Sequence, residues 1–352
     1  MKLFEILQKA VDSGTSDVFV IAGIPVTFKI NGNQVRFDDI IMKPDSINEL
    51  IREIYETGKR EMTNYDMKID DDFSISLPQL GRFRVNVFRQ RGSWAAVIRV
   101  IRFGIPDPAK LGIPESVLSL ADNKNGLILV AGVAGSGKST TLACMIDRIN
   151  RSREAHIITM EDPIEYLHSH KKSIVTQREV FIDTPSYLNS LRSALRESPD
   201  VILLGEMRDF ETISAAVTAA ETGVLLFSTL HTSSVSNTIN RIVDVFPAGQ
   251  QMQIRIQLSQ LIRGVVCQQL VTTVDNRLVP AFEIMKSTPA IQNMIREGKY
   301  HQLESAMQSA SQNGMITMDM SLISLYQKGI ISKETALLAS NNYEYMKTRL
   351  GV

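Results

Sequence analysis

GVAGSGKSTT, residues 132–141, follows the apolar run GLILVA. Its last four residues begin the segment KSTTLACMIDRIN, which has the pattern of a helix. The stretch fits G-x-x-x-x-G-K-[ST], the phosphate-binding loop of many nucleotide-binding proteins. Glycines allow backbone N–H groups to surround phosphate oxygens, and the N-terminus of the following helix adds partial positive charge. The stretch therefore predicts a strand, a phosphate loop and a helix in this order, with a bound nucleotide.

Two polar side chains of the predicted loop have expected roles. Lys138 is expected to reach the β- and γ-phosphates, and Ser139 is expected to bind Mg²⁺. Val133 and Ala134 are expected to contribute backbone groups, so their side chains are not expected to weaken nucleotide binding. The residues predicted to contact the nucleotide are Gly132, Val133, Ala134, Gly135, Ser136, Gly137, Lys138, Ser139 and Thr140.

The chain around the loop has the rhythm of a buried parallel sheet, in which apolar runs alternate with helical segments. The runs are GLILVAG, HIITM, VILLG and VLLFSTL. Glu161 and Glu206 follow the second and third runs, and His231 follows the fourth. Ligands bind beyond the carboxyl ends of such strands, so both acids are expected to reach the loop if their strands neighbour its strand. His231 is expected to sense the γ-phosphate or a neighbouring subunit.

The chain is expected to contain two domains. Residues 1–102 are predicted to form a mixed α/β domain, in which residues 73–101 alternate like antiparallel strands. The segment FGIPDPAKLGIP, rich in proline and glycine, predicts a linker over residues 103–117. Residues 118–284 form the predicted nucleotide-binding core, and residues 285–352 form a helical C-terminal region.

Composition disfavours several other classes of protein. The 352 residues include 38 Lys plus Arg and 38 Asp plus Glu, so net charge gives no support for nucleic-acid binding. Apolar runs fall far short of the roughly 20 residues of a membrane-spanning helix, and no transmembrane segment or signal peptide is expected. The two cysteines, Cys144 and Cys267, disfavour a disulfide framework. We therefore expect a soluble, cytoplasmic protein.

These segments together resemble one family, the secretion and type IV pilus ATPases, and within it the retraction ATPases of twitching motility. The family's Walker A, Asp box, Walker B and His box resemble GVAGSGKSTT, ITMEDPIEY, LRSALRESPDVILLGEMRDFETISAAVTAAETG and STLHT. The resemblance extends from about residue 3 to residue 348. Several motifs in one order are far more specific than any one of them.

The resemblance implies an α/β protein with an N-terminal PAS-like domain and a C-terminal RecA-like P-loop ATPase domain. It also implies a homo-hexamer that hydrolyses ATP with Mg²⁺ and pulls pilin subunits out of the pilus fibre. The implied partners are an inner-membrane pilus platform protein and, optionally, a paralogous pilus ATPase, but no nucleic acid. The implied location is the cytoplasm, at the inner face of the cytoplasmic membrane.

The roles of the two acids stay open. The family usually has a metal-binding aspartate before the Walker B glutamate, but this chain has Gly205, so Glu206 serves the metal, the water or both. In RecA-like sheets the strand beside the phosphate-loop strand commonly carries the water-activating glutamate. This favours Glu161 as general base and Glu206 as the Mg²⁺ ligand, with the reverse assignment as the alternative.

Arginines stabilise the charge on a transferring phosphoryl group. The segment GRFRVNVFRQR supplies the candidates Arg82, Arg84 and Arg89. On one regular strand, Arg82 and Arg84 face away from Arg89, so the three cannot contact one nucleotide unless a bulge or turn intervenes. Further candidates are Arg91, Arg208 and Arg241.

Three other functions remain as alternatives. A pilus assembly or type II secretion ATPase usually carries an extra N-terminal domain and often a tetracysteine element. An accessory paralogue that binds nucleotide without hydrolysis is disfavoured by the presence of Lys138, Glu161, Glu206 and His231, and neutral charge disfavours a nucleic-acid translocase. Gln292 replaces the arginine of the family's AIRNLIRE motif, which puts a motor-output contact in doubt.

Overall fold

The computed structural model describes residues 2–30, 32–60, 70–78, 80–101 and 104–351. The chain divides into two compact units, Met1–Gly104 with Glu165–Leu167, and Ile105–Ile164 with His168–Val352. The division falls two residues after the predicted end of the first domain at residue 102. Most of the predicted linker thus belongs to the second unit, and the limits of the functional domains stay predictions.

In its described residues, the first unit packs two helices with one antiparallel sheet. In chain order its elements are α1 (Leu3–Asp12), β1 (Asp17–Val20), β2 (Thr27–Ile30), β3 (Asn33–Arg36), α2 (Pro44–Thr57), β4 (Asp70–Leu77), β5 (Gly81–Gln90) and β6 (Ser93–Ile101). The six strands lie in the order β3-β2-β1-β6-β5-β4. Apolar residues recur every three or four positions in both helices, as at Leu3, Ile6 and Leu7, so one face of each helix is buried in a common core with the sheet.

Strand β5 carries the arginines singled out in the sequence. Its residues alternate between the core, as at Val85, and a partly exposed face that includes Arg82 and Arg84. Arg89 lies on the opposite face from these two, and its guanidinium stacks over the Trp94 ring with 4.5 Å to the ring centroid. The predicted opposition of Arg82 and Arg84 to Arg89 is confirmed.

The second unit is built around a seven-stranded sheet. In chain order its elements are α3 (Glu115–Leu118), β7 (Gly126–Ala131), α4 (Lys138–Ser152), β8 (His156–Glu161), β9 (Ile174–Glu179), α5 (Tyr187–Ala194), β10 (Val201–Leu204), α6 (Phe210–Glu221), β11 (Leu225–Leu230), α7 (Val235–Asp244), α8 (Ala248–Leu261), β12 (Ile262–Thr272), β13 (Leu278–Lys286), α9 (Pro289–Glu297), α10 (Leu303–Ser309), α11 (Met318–Gln327), α12 (Lys333–Leu338) and α13 (Tyr343–Leu350). The sheet order is β13-β12-β7-β11-β10-β8-β9, with β13 antiparallel and the other strands parallel. Every residue of β7, β10 and β11 is buried, as strands covered on both faces require. The predicted mostly parallel sheet is confirmed.

The strand order corrects one premise of the sequence analysis. The neighbours of β7 are β11 and β12, so the strand before Glu206 lies two positions away and the strand of Glu161 lies three positions away. At about 4.8 Å between neighbouring strands, β8 is roughly 14 Å from β7 across the sheet. Of the two neighbours of β7, it is β11 that His231 follows. Strands β9, β12 and β13 were not among the predicted runs.

The C-terminal region is helical from α9 to α13, as predicted. Its predicted start at residue 285 is slightly early, because β13 continues to Lys286. The last helices share a small apolar core with β12 and β13, made of Val271, Ala281, Met318, Leu322, Ile331, Ala336 and Met346. Within the part of the chain that the structure describes, each helix is too short or too polar to cross a membrane.

Glu283 is a buried acid on β13, and we expect it to make the stability of the fold depend on pH. Burial, together with the charges of Glu304 and Asp319, raises the pKa of Glu283 to about 8, against the lowering effect of a hydrogen bond from the Val235 N–H. Between about pH 5 and 8 the native chain holds a proton that the unfolded chain releases, so the free energy of unfolding falls as the pH rises. Glu283→Gln keeps an acceptor for Val235. We expect it to be more stable than the unmodified chain by up to about 5 kcal/mol at pH 9 and equal to it below pH 5.

Urea unfolding at several pH values measures this difference. The control is Glu334→Gln, which changes an exposed acid on α12 and is expected to leave the pH dependence intact. If Glu283→Gln and the unmodified chain had the same pH dependence, Glu283 would not be protonated in the native state at neutral pH.

Candidate nucleotide site

The phosphate loop joins β7 to α4, as the sequence predicts. Its last glycine, Gly137, has a φ of 89° and is the N-cap of α4, a left-handed conformation that favours glycine. Gly132 leaves no room for a side chain, because a Cβ there would lie 2.3 Å from the backbone oxygen of Gln268. The left-handed backbone therefore requires glycine at position 137, and close packing requires glycine at position 132.

Lys138 begins α4 and is fixed against the loop. Only 8% of the residue is exposed, and its Nζ donates to the backbone oxygens of Gly132 and Val133 at 2.8 and 2.9 Å. The N-terminus of the 15-residue helix adds partial positive charge at the same place. This donor set fits the phosphates of a nucleotide, and the partly buried Ser139 that follows supplies a hydroxyl suited to Mg²⁺.

The carboxyl ends of β7, β11, β10 and β8 lie along one edge of the sheet, because these four neighbouring strands are all parallel. The phosphate loop, His231 and Glu206 follow the first three of these ends, and Glu161 ends the fourth. The structure thus brings the predicted residues of the second unit to the same edge. Their individual roles stay predictions.

Glu206 is the centre of a small charged cluster. Its Oε2 accepts a hydrogen bond from Arg208 Nε at 2.6 Å and lies 3.4 Å from His231 Nε2. The Glu206 side chain is 14% exposed, whereas that of Arg208 is 72% exposed. A carboxylate held between two basic groups responds to any further cation or anion that binds beside it. The sequence named all three residues as candidates, but not this contact.

Glu161 has a different environment. Its Oε1 accepts hydrogen bonds from the Thr159 hydroxyl at 2.7 Å and from the Gln177 amide at 3.3 Å. Thr159 lies two residues earlier on β8, and Gln177 lies on β9, the edge strand of the sheet. These neutral donors orient the carboxylate. Neither donor was among the predicted site residues, and Gln177 comes close because it pairs with Thr159 between β8 and β9.

Tyr187 is a further residue that sequence reasoning missed. Burial, followed by the charges of Glu206, Asp162 and Glu161, raises the pKa of its phenol well above the usual range, so the hydroxyl stays a neutral donor beside the acids. A Cβ at Gly205 would lie 2.7 Å from this hydroxyl. The aspartate that the family usually has before the Walker B glutamate would therefore clash with Tyr187.

Two arginine candidates of the first unit, Arg84 and Arg89, have partners inside that unit. Arg84 makes two hydrogen bonds to Asp72, at 3.0 and 2.6 Å, and Arg89 stacks on Trp94. Arg82 lies on the same face of β5 as Arg84. The roles of Arg82, Arg84 and Arg89 toward a nucleotide stay predictions.

Comparison with known proteins agrees with this geometry. The family described as Type II/IV secretion system protein matches residues 2–347. The chain belongs to this family. Within it, the type IV pilus retraction ATPase PilT of Pseudomonas aeruginosa is 44% identical over 96% of this chain and 97% of its own length. A twitching motility protein of Neisseria gonorrhoeae is 42% identical over 98% of this chain and 92% of its own length.

A solved structure extends the match to three dimensions. The pilus retraction motor PilT with bound ADP is 45% identical, covers 99% of both chains and has a TM-score of 0.90. The resemblance to the retraction ATPases inferred from the motifs is therefore confirmed, as are the α/β fold and the class of enzyme. This member of the Type II/IV secretion family is an ATPase.

The contrast between the two acids predicts different effects of removing each charge. If Glu161 is the general base, Glu161→Gln binds ATP normally but hydrolyses it at least about a hundredfold more slowly. If Glu206 serves the metal, Glu206→Gln requires more Mg²⁺ for ATP binding. Single-turnover hydrolysis and a titration of ATP binding against Mg²⁺ measure both effects.

Glu211→Gln is the matched control, because Glu211 is an exposed acid in the first turn of α6. It is expected to behave like the unmodified enzyme. Normal turnover by Glu161→Gln would remove Glu161 as the base and favour Glu206 for that role.

Proposed function

We propose that this chain is an ATP-driven motor for the retraction of type IV pili. The observation that carries the proposal is the shared sheet edge, along which Lys138 at the phosphate loop, Glu206 and Glu161 all lie. Phosphate binding and two separately oriented carboxylates are what hydrolysis requires. The similarity to retraction ATPases over nearly the whole chain supports the same conclusion.

In the proposed mechanism of ATP hydrolysis, different residues hold the phosphates, Mg²⁺ and the attacking water. The Lys138 ammonium and the loop N–H groups hold the β- and γ-phosphates, and Ser139 and Glu206 hold Mg²⁺. The ion, when bound, neutralises charge that develops on the phosphates. Glu161, oriented by Thr159, aligns a water for attack and accepts its proton. Loss of the γ-phosphate changes the contacts that His231 and Arg208 make with Glu206.

The assembly and partners are part of the same proposal. Six copies form a ring, in which either Arg82 and Arg84, on one face of β5, or Arg89, on the other face, supply positive charge to a nucleotide. The ring acts in the cytoplasm on an inner-membrane pilus platform protein, at the inner face of the cytoplasmic membrane. A paralogous pilus ATPase is an optional partner. Helix α9, in which Gln292 donates to Ser287 Oγ at 3.2 Å, is a candidate output element.

The test of function combines enzyme and cell. Lys138→Ala is expected to lose ATP hydrolysis in a phosphate-release assay, because the ammonium that holds the β- and γ-phosphates is gone. Deletion of the gene is expected to leave excess surface pili without twitching, and only an active copy is expected to restore motility. Lys124→Ala, at an exposed position before β7, is the control and is expected to restore it.

Absence of pili after deletion would mean that the chain drives assembly. Restored twitching by Lys138→Ala would mean that the cell does not need hydrolysis by this chain. Unchanged hydrolysis by Lys138→Ala would overturn the assignment of the phosphate loop.

The proposed ring predicts a defined mass. Light scattering with ATP and Mg²⁺ is expected to give a species of about six subunits of 39.3 kDa each. The comparison sample is the same protein without nucleotide. A monomer at every protein concentration, with and without ATP, would count against a ring motor.

A further inference from the structure

Gln268 lies directly behind the phosphate loop. Strand β12 pairs in parallel with β7, and the last pair of this ladder joins Cys267 to Ala131, the residue before the loop. Gln268 follows on β12 and is 5% exposed. It lies 127 positions after Thr141 in the sequence and contacts it in the fold.

Three parts of the loop region meet at this residue. The backbone oxygen of Gln268 occupies the space beside Gly132, 2.3 Å from where a Cβ would stand. Its Nε2 lies 2.8 Å from the Cβ position of Gly137, at the other end of the loop. Its Oε1 accepts a hydrogen bond of 2.7 Å from the hydroxyl of Thr141, a fully buried residue in the first turn of α4.

We propose that Gln268 is a positioning residue that clamps both ends of the phosphate loop in the shape that binds phosphate. This inference rests on the proposed function, because it assigns a role in nucleotide binding. A loop held in its binding shape loses less conformational freedom when the nucleotide arrives, so the clamp contributes to affinity. Gln268 acts through the loop and Thr141 and not by contact with the phosphates.

The neighbouring glutamine provides an internal comparison. Successive side chains of a strand point to opposite faces, and Gln269 donates from Nε2 to the backbone oxygen of Ala339 at 2.9 Å, in the C-terminal region. Gln268 and Gln269 thus make one side-chain hydrogen bond each from the same strand. Only Gln268 contacts the loop.

Gln268→Met tests the side-chain part of the clamp, at Gly137 and Thr141, because methionine has a similar size but lacks the amide, whereas the backbone oxygen beside Gly132 is kept. The affinity for ADP in the presence of Mg²⁺, measured by calorimetry, is expected to fall about tenfold, since a buried hydroxyl loses its acceptor. The KM for ATP is expected to rise with it. Gln269→Met, the matched control, is expected to keep the affinity for ADP even if both variants melt at a lower temperature without nucleotide.

Variants at Thr141 give a second and independent measurement if Gln268→Met does not fold. Thr141→Val removes the hydroxyl at nearly constant shape and is expected to weaken ADP binding as Gln268→Met does, while Thr141→Ser is expected to restore it. The double variant is expected to bind no more weakly than either single one, because both remove the same bond.

The result that overturns the clamp is ADP affinity unchanged in Gln268→Met, or equally reduced in Gln269→Met. Lys138→Ala separates this failure from failure of the proposed function. If the unmodified chain binds ADP and Lys138→Ala does not, the nucleotide site stands whatever Gln268 does. If the unmodified chain does not bind ADP, both proposals fail.

Discussion

Parallel hydrogen bonding on both sides of β7 fixes the point at which the phosphate loop begins. The ladders with β11 and β12 both reach Ala131, and the Gly132 N–H continues the first of them by donating to Leu230 at 3.2 Å. The loop then has little freedom at its start, and the N-terminus of α4 limits it at its end. Every other part of the candidate site is placed relative to this point, strand by strand along the sheet edge.

The same sheet places two carboxylates in unlike surroundings. Arg208 and His231 face Glu206, whereas the Thr159 hydroxyl and the Gln177 amide donate to Glu161. Environment sets the role of a carboxylate, so this difference favours separate tasks for the two acids. Gly205 stands before Glu206 where the family usually has an aspartate, and the Tyr187 hydroxyl lies in the space beside it.

Local signals made part of this site predictable. The loop pattern, the apolar runs, the acid that ends β8 and the acid that follows β10 each lie within about ten consecutive residues, so they could be predicted from sequence periodicity and from their positions at strand ends. Strand order depends on pairing between distant segments, and the expected neighbour of β7 was therefore wrong. Gln268 and Tyr187 were missed for the same reason. The signal for Gln268 would have been a polar residue inside an otherwise apolar strand.

In the proposed mechanism, the contact between Glu206 and Arg208 links ATP hydrolysis to movement of the chain. A metal ion or phosphate beside Glu206 competes with Arg208 for its charge, and the exposed Arg208 side chain is free to follow either partner. Arg208 directly precedes Asp209, whose carboxylate caps α6 through the Thr212 N–H at 2.8 Å. In the proposed mechanism, a change of partner at Glu206 takes place one residue from the cap of α6, and we expect the products of hydrolysis to act on this helix through that cap.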